Sequence, residues 1–186
     1  RATCASSATW WSRPPRAALR IRSADAQGVR NRRARELLAD RGYQEVITYS
    51  FIDDGLQQLF DSGRASLRLA NPISADTAVM RTSLWPGLAQ VARHNLNRQQ
   101  ERLRIFELGT KFLPDDAGLT EETVIAGLAV GDAWPEQWGL PARAVDFHDL
   151  KSDLEALLAE LGCGGCAFRR ASHPALHPGQ SASIVA

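Results

Sequence analysis

The residues with the most evident chemistry lie near the end of the chain. Cys163 and Cys166 flank two glycines, and His173 and His177 follow. Two thiolates at that spacing can hold one Zn²⁺, and the glycines permit the tight turn this requires. The histidines follow sooner than in the common zinc patterns. A Gly-rich loop behind a helix also accounts for the pair without any metal. The chain is therefore read as holding no metal, with a zinc site of Cys163, Cys166, His173 and His177 as the alternative. Nucleophilic catalysis has less support, because neither cysteine carries the local sequence signature of a catalytic thiol. His148 stands between Asp146 and Asp149 and reads as a solvated histidine. No Walker loop and no dinucleotide fingerprint is present. No catalytic residue is assigned.

Two further groups invite a ligand reading. Arg30, Arg32, Arg33 and Arg35 form a basic cluster that RNA phosphates would suit. A charge run on a helix is more simply a solvated face, and that is the reading adopted. Trp134 and Trp138 would suit a base, but packing within their loop is the expected role.

The elements that position these residues follow from periodicity. Residues 30–41 read as a helix that buries Ala34, Leu37 and Leu38 and stops at Gly42. Val46–Phe51 reads as a strand with Ile47, Tyr49 and Phe51 on one face. Asp53 caps a short helix to Phe60, Leu67 and Leu69 mark a brief strand, and Asn71-Pro72 is a turn. Ser83 is the expected N-cap of a helix to about Asn97, with Pro86 in its first turn and Leu84, Leu88, Val91 and Leu96 buried. Leu103–Phe112 reads as a buried strand, Leu113–Asp116 as a turn, and Thr123–Val130 as a strand covered on both faces. Asp149–Leu161 is the clearest helix, with Leu150, Leu154, Leu157, Leu158 and Leu161 at helical spacing and Gly162 at its end. Ala167–Ala171 and Ser181–Ala186 read as short strands. Short strands and amphipathic helices interleave irregularly, and no Gly-rich turn opens a helix. The expected class is α+β with a mainly antiparallel sheet.

Composition sets outer bounds. The 186 residues suit one domain with a sizeable core, and 44% apolar content is ordinary for a globular chain. A net charge of +1 carries no whole-chain argument for nucleic acid or membrane. No apolar run approaches the roughly 18 residues of a spanning helix. Three cysteines make no disulfide framework, so a reducing, cytoplasmic setting is expected. Residues 1–28 differ in composition, with Trp10-Trp11, Pro14-Pro15 and no acid before Asp25. They read as a poorly ordered or unrelated leader, with a transit peptide as the alternative. Residues 29–186 read as one incomplete core domain, and the chain as a piece of a longer protein.

One long pattern is specific enough to suggest a family. It runs from Met80-Arg81-Thr82-Ser83-Leu84-Trp85-Pro86-Gly87-Leu88 through Asn97-Arg98-Gln99 to Arg104-Ile105-Phe106-Glu107-Leu108-Gly109 and Phe112. Leu37–Phe51, Asn71–Ser74, Asp146–Lys151 and His177–Ala182 extend it on both sides. Over about Arg30 to Ala186 the chain resembles the synthetase-like core of the β subunits of bacterial phenylalanine–tRNA ligases.

The resemblance implies a core similar to class II aminoacyl-tRNA synthetase catalytic domains but not itself catalytic. It implies an α₂β₂ assembly in which the α subunit attaches phenylalanine to tRNA with ATP and Mg²⁺. No cofactor is expected on this chain. The helix bearing Ala34, Leu37 and Leu38, with the strand after it, corresponds to the interface element of the class. Catalytic members carry an ATP-binding arginine where this chain has Leu113, with Pro114 next. Leucine neither neutralises phosphate nor donates a hydrogen bond. Arg104 and Glu107 are then strand residues, paired or at an interface. The rival readings are a self-sufficient class II-type ligase and a small zinc-containing RNA-binding module.

Overall fold

A computed structural model describes residues 25–115, 118–177 and 179–185. Most of the leader, residues 1–24, lies outside the described residues. The first helix, α1, spans Ala26–Asp40. It starts earlier than the expected Arg30 because Asp25 caps it, its carboxylate accepting from the backbone N–H of Gln27 and Gly28.

The helix ends as its sequence requires. Gly42 takes φ +80°, its N–H donates to Ala39 O, and the Tyr43 N–H donates to Leu38 O. This is a Schellman closure with glycine in the left-handed position. An added Cβ there meets no neighbour within 4 Å, so the backbone alone sets the cost of substitution. Gly42→Val is expected to destabilise by about 1–2 kcal/mol, read as a lowered thermal or urea midpoint. An unchanged midpoint would show that the cap tolerates a branched side chain.

Two long strands form the backbone of the fold. β4 (Leu103–Asp115) and β5 (Gly118–Val130) pair antiparallel from Leu103↔Val130 to Asp115↔Gly118. β1 (Gln44–Glu45) adds on the other side of β4, parallel, opposite Ile105 and Phe106, so the sheet order is β1-β4-β5. β2 (Phe51–Ile52) pairs antiparallel with β3 (Val79–Met80), and β6 (Ala167–Arg170) with β7 (Ala182–Val185). The class is α+β with a mainly antiparallel sheet, as the pattern predicts. The strand expected at Leu67–Leu69 reduces to a bridge of Arg68 to Val79.

The turn expected at Leu113–Asp116 is replaced by strand over Leu113–Asp115, Asp116 lying outside the described residues. Leu113 pairs with Thr120, Pro114 with Leu119 and Asp115 with Gly118. Proline fits because β1 stops beside Phe106, leaving this stretch of β4 without a strand on its far side. β5 is also less covered than its apolar run predicts. Residues 118–123 are exposed and most of 124–130 are half-buried, because β5 is a sheet edge.

Helices flank this hairpin. α2 (Asp54–Phe60) is capped by Asp53, whose carboxylate accepts from Leu56 N–H at 2.9 Å. α3 (Trp85–Leu96) lays Leu88 and Ala92 on Leu103 and Ile105. The N-cap position falls to Leu84 rather than the expected Ser83, whose hydroxyl lies one residue earlier and accepts from the Trp85 N–H at 3.2 Å. Leu96 does not join the core and is 42% exposed. Each four-residue step turns about 40° around a helix, so the row begun at Leu84 has rotated away by Leu96.

α4 (Phe147–Glu160) opens with a capping box between Asp146 and Asp149. Its leucine face is only partly used. Leu157 is buried, whereas Leu150 and Leu154 stay more than a third exposed, and Asp153 turns inward with Leu157. The hydrogen bonds that Asp153 makes decide this orientation. The tryptophan loop also departs from expectation. Its anchor is Ala133, 1% exposed, while Trp138 lies wholly in solvent.

Candidate functional site

Two buried polar networks hold the elements in register. In the first, Glu107 on β4 and Arg81 just after β3 are 2% and 3% exposed. Arg81 Nη1 donates to Glu107 Oε1 at 2.8 Å and to Thr48 Oγ1 at 2.9 Å. Thr48 Oγ1 donates in turn to Glu107 Oε2 at 2.7 Å. Arg81 Nε donates to Thr110 O at 2.8 Å, tying the guanidinium to β4 a second time. A buried charge persists only when paired and hydrogen-bonded, and both partners here are. Gly87, in the first turn of α3, completes the fit. A Cβ there would fall 2.3 Å from Thr48 Oγ1, so only glycine lets the helix approach.

In the second network Asp153 reaches in from α4. It accepts from Arg41 Nη1 at 2.6 Å, from the Tyr43 hydroxyl at 2.7 Å and from Arg104 Nη1 at 2.9 Å. Arg104 also lies over the Tyr43 ring, 5.3 Å from its centroid, and donates to Ala133 O at 3.2 Å. Burial, and then the hydrogen bond to Asp153, push the Tyr43 phenol well above its ordinary range, so it stays a donor. Both Arg104 and Glu107, expected to be paired strand residues, are consumed by these networks. The sequence reading missed Arg81 and Asp153 as their partners. For Asp153 a signal existed, a single acid set among the leucines of α4.

A third cluster lies at the surface. Arg143 donates to both Asp149 oxygens, at 2.6 and 2.7 Å, and Asp146 N–H donates to Asp149 Oδ2 at 2.9 Å. The Arg143 hydrogen bonds first, then the Asp146 backbone, hold the Asp149 carboxyl well below the usual carboxylate range. A depressed folded pKa contributes stability above the unfolded value, and that stability is lost as pH falls from about 4 towards the folded one. Asp149→Asn is therefore expected to flatten the fall in melting temperature below about pH 4. Parallel wild-type and variant profiles there would remove Asp149 as a source of acid sensitivity.

The residues of the zinc reading do not converge. Cys166 Sγ donates to Cys163 O at 3.7 Å. His173 Nδ1 accepts from Ala175 N–H at 3.2 Å and its ring stands edge-on to Trp85 at 5.2 Å. His177 Nδ1 accepts from Gly179 N–H at 3.1 Å. Among the described residues no group of three or more His, Cys, Asp or Glu is placed to hold a metal ion. The arginine cluster of α1 is largely engaged with acids: Arg32 with Glu36, Arg33 with Glu160 and Arg35 with Glu45.

The residues of the interface reading fall into two sets. Ala34 and Leu38 are 3% and 6% exposed within the chain itself, and Leu38 packs with Tyr43, Phe106 and Ile125. Leu37 is half-buried. The segment after β1 presents the opposite case. Val46 N–H bonds Phe106 O and Thr48 points inward to Glu107, so the alternation throws Ile47 and Tyr49 outward at 92% and 83% exposure. Phe51 continues that side, 37% exposed. At the position where the resemblance expects an ATP-binding arginine, Leu113 sits half-buried on β4. The nearby cation Lys111 pairs with Glu122 at 2.8 Å.

The fold, with its long antiparallel hairpin, short parallel neighbour and flanking helices, is similar to that of solved class II aminoacyl-tRNA synthetases. The structure of Desulfitobacterium hafniense PylSc, a pyrrolysyl tRNA synthetase, matches with a TM-score of 0.59 over 77% of this chain and 49% of that one, at 18% identity. A histidine–tRNA ligase subunit from Alicyclobacillus acidocaldarius matches with a TM-score of 0.54 over 84% of this chain and 44% of that one, at 17% identity.

The family model of the phenylalanyl tRNA synthetase beta chain CLM domain covers residues 12–186, and the chain belongs to that family. The match reaches back to residue 12, into the stretch set apart by composition. Phenylalanine–tRNA ligase beta subunits of Methylococcus capsulatus and Nitrosococcus oceani are 54% and 56% identical over 82% of this chain. That of Dickeya dadantii is 47% identical over 92%. The chain spans 19–22% of the length of these relatives.

Proposed function

We propose that this chain is the non-catalytic synthetase-like core of a phenylalanine–tRNA ligase β subunit, and that it serves assembly. In this reading an α subunit carries the active site, within an α₂β₂ enzyme that attaches phenylalanine to tRNA with ATP and Mg²⁺. The chain itself holds no cofactor and no metal. Residues 29–186 form the core, and the family match, which begins at residue 12, takes in part of the stretch before it. The setting is the cytoplasm; among the described residues no helix is long and apolar enough to cross a membrane.

The observation that carries this reading is a pairing of two features. Where the resemblance places the ATP-binding arginine of catalytic members there is Leu113, and Arg81 and Arg104 are already committed to Glu107 and Asp153. Meanwhile Ile47 and Tyr49 stand almost fully exposed on a segment whose other face is pinned to the core. Large apolar side chains exposed in a row mark an interaction surface. We assign the assembly contact to that row; Leu37, half-buried on α1, is the remaining candidate from the interface reading, whereas Ala34 and Leu38 are sealed within the chain.

The test is phenylalanine-dependent ATP–pyrophosphate exchange by the chain alone and with an α subunit. Losing one electrostatic contact to the reacting phosphate costs roughly 10²–10³ in rate, so the chain alone is expected at background. Exchange by the chain alone would support a self-sufficient ligase instead.

A further inference from the structure

The turn at Cys163–Cys166 has a feature that neither zinc nor assembly explains. α4 closes through a Schellman motif: Gly162, at φ +76°, donates its N–H to Ala159 O at 3.0 Å, and the Cys163 N–H donates to Leu158 O at 2.8 Å. The backbone of Cys163 is therefore fixed by the helix end. Gly164 and Gly165 make the turn, Gly165 at φ +86°, where a side chain is disfavoured. Cys166 then leads directly into β6, whose first residue, Ala167, pairs with Val185. Both cysteines are thus held by regular structure on their outer sides, with two side-chain-free residues between them.

That geometry suits a bond between the two sulfurs. A four-residue turn brings its end Cα atoms within about 7 Å, and disulfides span Cα separations of about 4.4–6.8 Å. The Cys166 thiol already folds back over the turn, donating to Cys163 O at 3.7 Å. Cys163 is exposed and Cys166 half-exposed, so a small oxidant reaches both. Cys163 also borders a cleft with Gln27, Arg30 and Asn31 of α1.

We infer that Cys163 and Cys166 form a reversible dithiol–disulfide pair, oxidised by low-molecular-weight disulfides. The Cys163 thiolate attacks one sulfur of the small disulfide and releases one thiolate. The Cys166 thiolate then attacks the Cys163 sulfur of the mixed disulfide and releases the second. The two protons lost by the cysteines are taken up by the released thiolates, and the chain gives two electrons to the small disulfide. Such a pair in a reducing compartment is transient, in keeping with a solvent-facing site.

The test uses the full chain carrying Cys4→Ser, which removes the third thiol. The protein is equilibrated across a series of oxidised to reduced glutathione ratios, quenched, alkylated and digested. The expected result is simultaneous loss of both alkylation sites, with the 163–166 peptide lighter by two hydrogens and full recovery on adding dithiothreitol. Adding Cys163→Ser or Cys166→Ser should abolish that species and leave one glutathione adduct on the remaining thiol. Two independent glutathione adducts on the unmutated pair, disulfide-linked dimers, or thiols that stay alkylatable throughout would each overturn the proposal.

Discussion

Arg81→Met is expected to cost about 3–5 kcal/mol of folding stability, because it leaves Glu107 as an uncompensated charge in the interior. The two side chains are 4% and 3% exposed and 2.8 Å apart, so water cannot replace the lost partner. Thr48 would lose a donor as well, keeping only its own bond to Glu107 to hold the segment after β1 on β4. Against a typical total of about 5–15 kcal/mol, the loss is enough to unfold a large fraction of the chain. The double variant Arg81→Met/Glu107→Leu removes both charges. It should recover much of the loss, since buried ion pairs contribute little net stability over apolar replacements of similar size. Urea midpoints of the wild type, both single variants and the double variant form the cycle. A cost under about 1 kcal/mol for Arg81→Met would mean that Glu107 takes up a proton or finds water, and that the network is not a structural tie.

Ile47→Asp combined with Tyr49→Ser is expected to abolish co-purification with an α subunit while leaving the isolated chain folded. Both side chains are solvated in the free chain, and surface changes away from special features usually shift stability by no more than about 0.5 kcal/mol. In an assembly, central aromatic and aliphatic anchors commonly carry about 2 kcal/mol or more each. Leu38→Glu cannot make this distinction. Leu38 packs with Tyr43, Phe106 and Ile125, so a carboxylate there would unfold the chain whether or not α1 meets a partner. Retained assembly by the folded Ile47/Tyr49 variant would move the contact to another surface.

The sequence by itself determined what local chemistry determines. Gly42 and Gly162 end their helices because only a residue without a Cβ suits the left-handed position. Asp53 starts a helix because a short acid bonds free backbone N–H groups, whereas the helix expected from Asp149 begins two residues earlier, capped by Asp146. The alternation that places Ile47, Tyr49 and Phe51 on one side was legible as well, although the strand expected over Val46–Phe51 is strand only at Phe51, β1 having ended at Glu45. The long pattern from Met80 to Phe112 carried the family.

Tertiary structure decided which face of α4 turns inward. A leucine stripe on α4 predicts one orientation, but Asp153 must meet Arg41, Tyr43 and Arg104, which come from sequence positions far from it. An unpaired buried charge costs more than leaving Leu150 and Leu154 partly exposed, so the ionic contact wins. The same holds for Pro114, which lies in a strand because β1 is too short to cover that stretch of β4. Nor does residue type separate Leu38, sealed in the core, from Ile47, left bare. What separates them is the inward hydrogen bond of Thr48 to Glu107, which turns its neighbours outward.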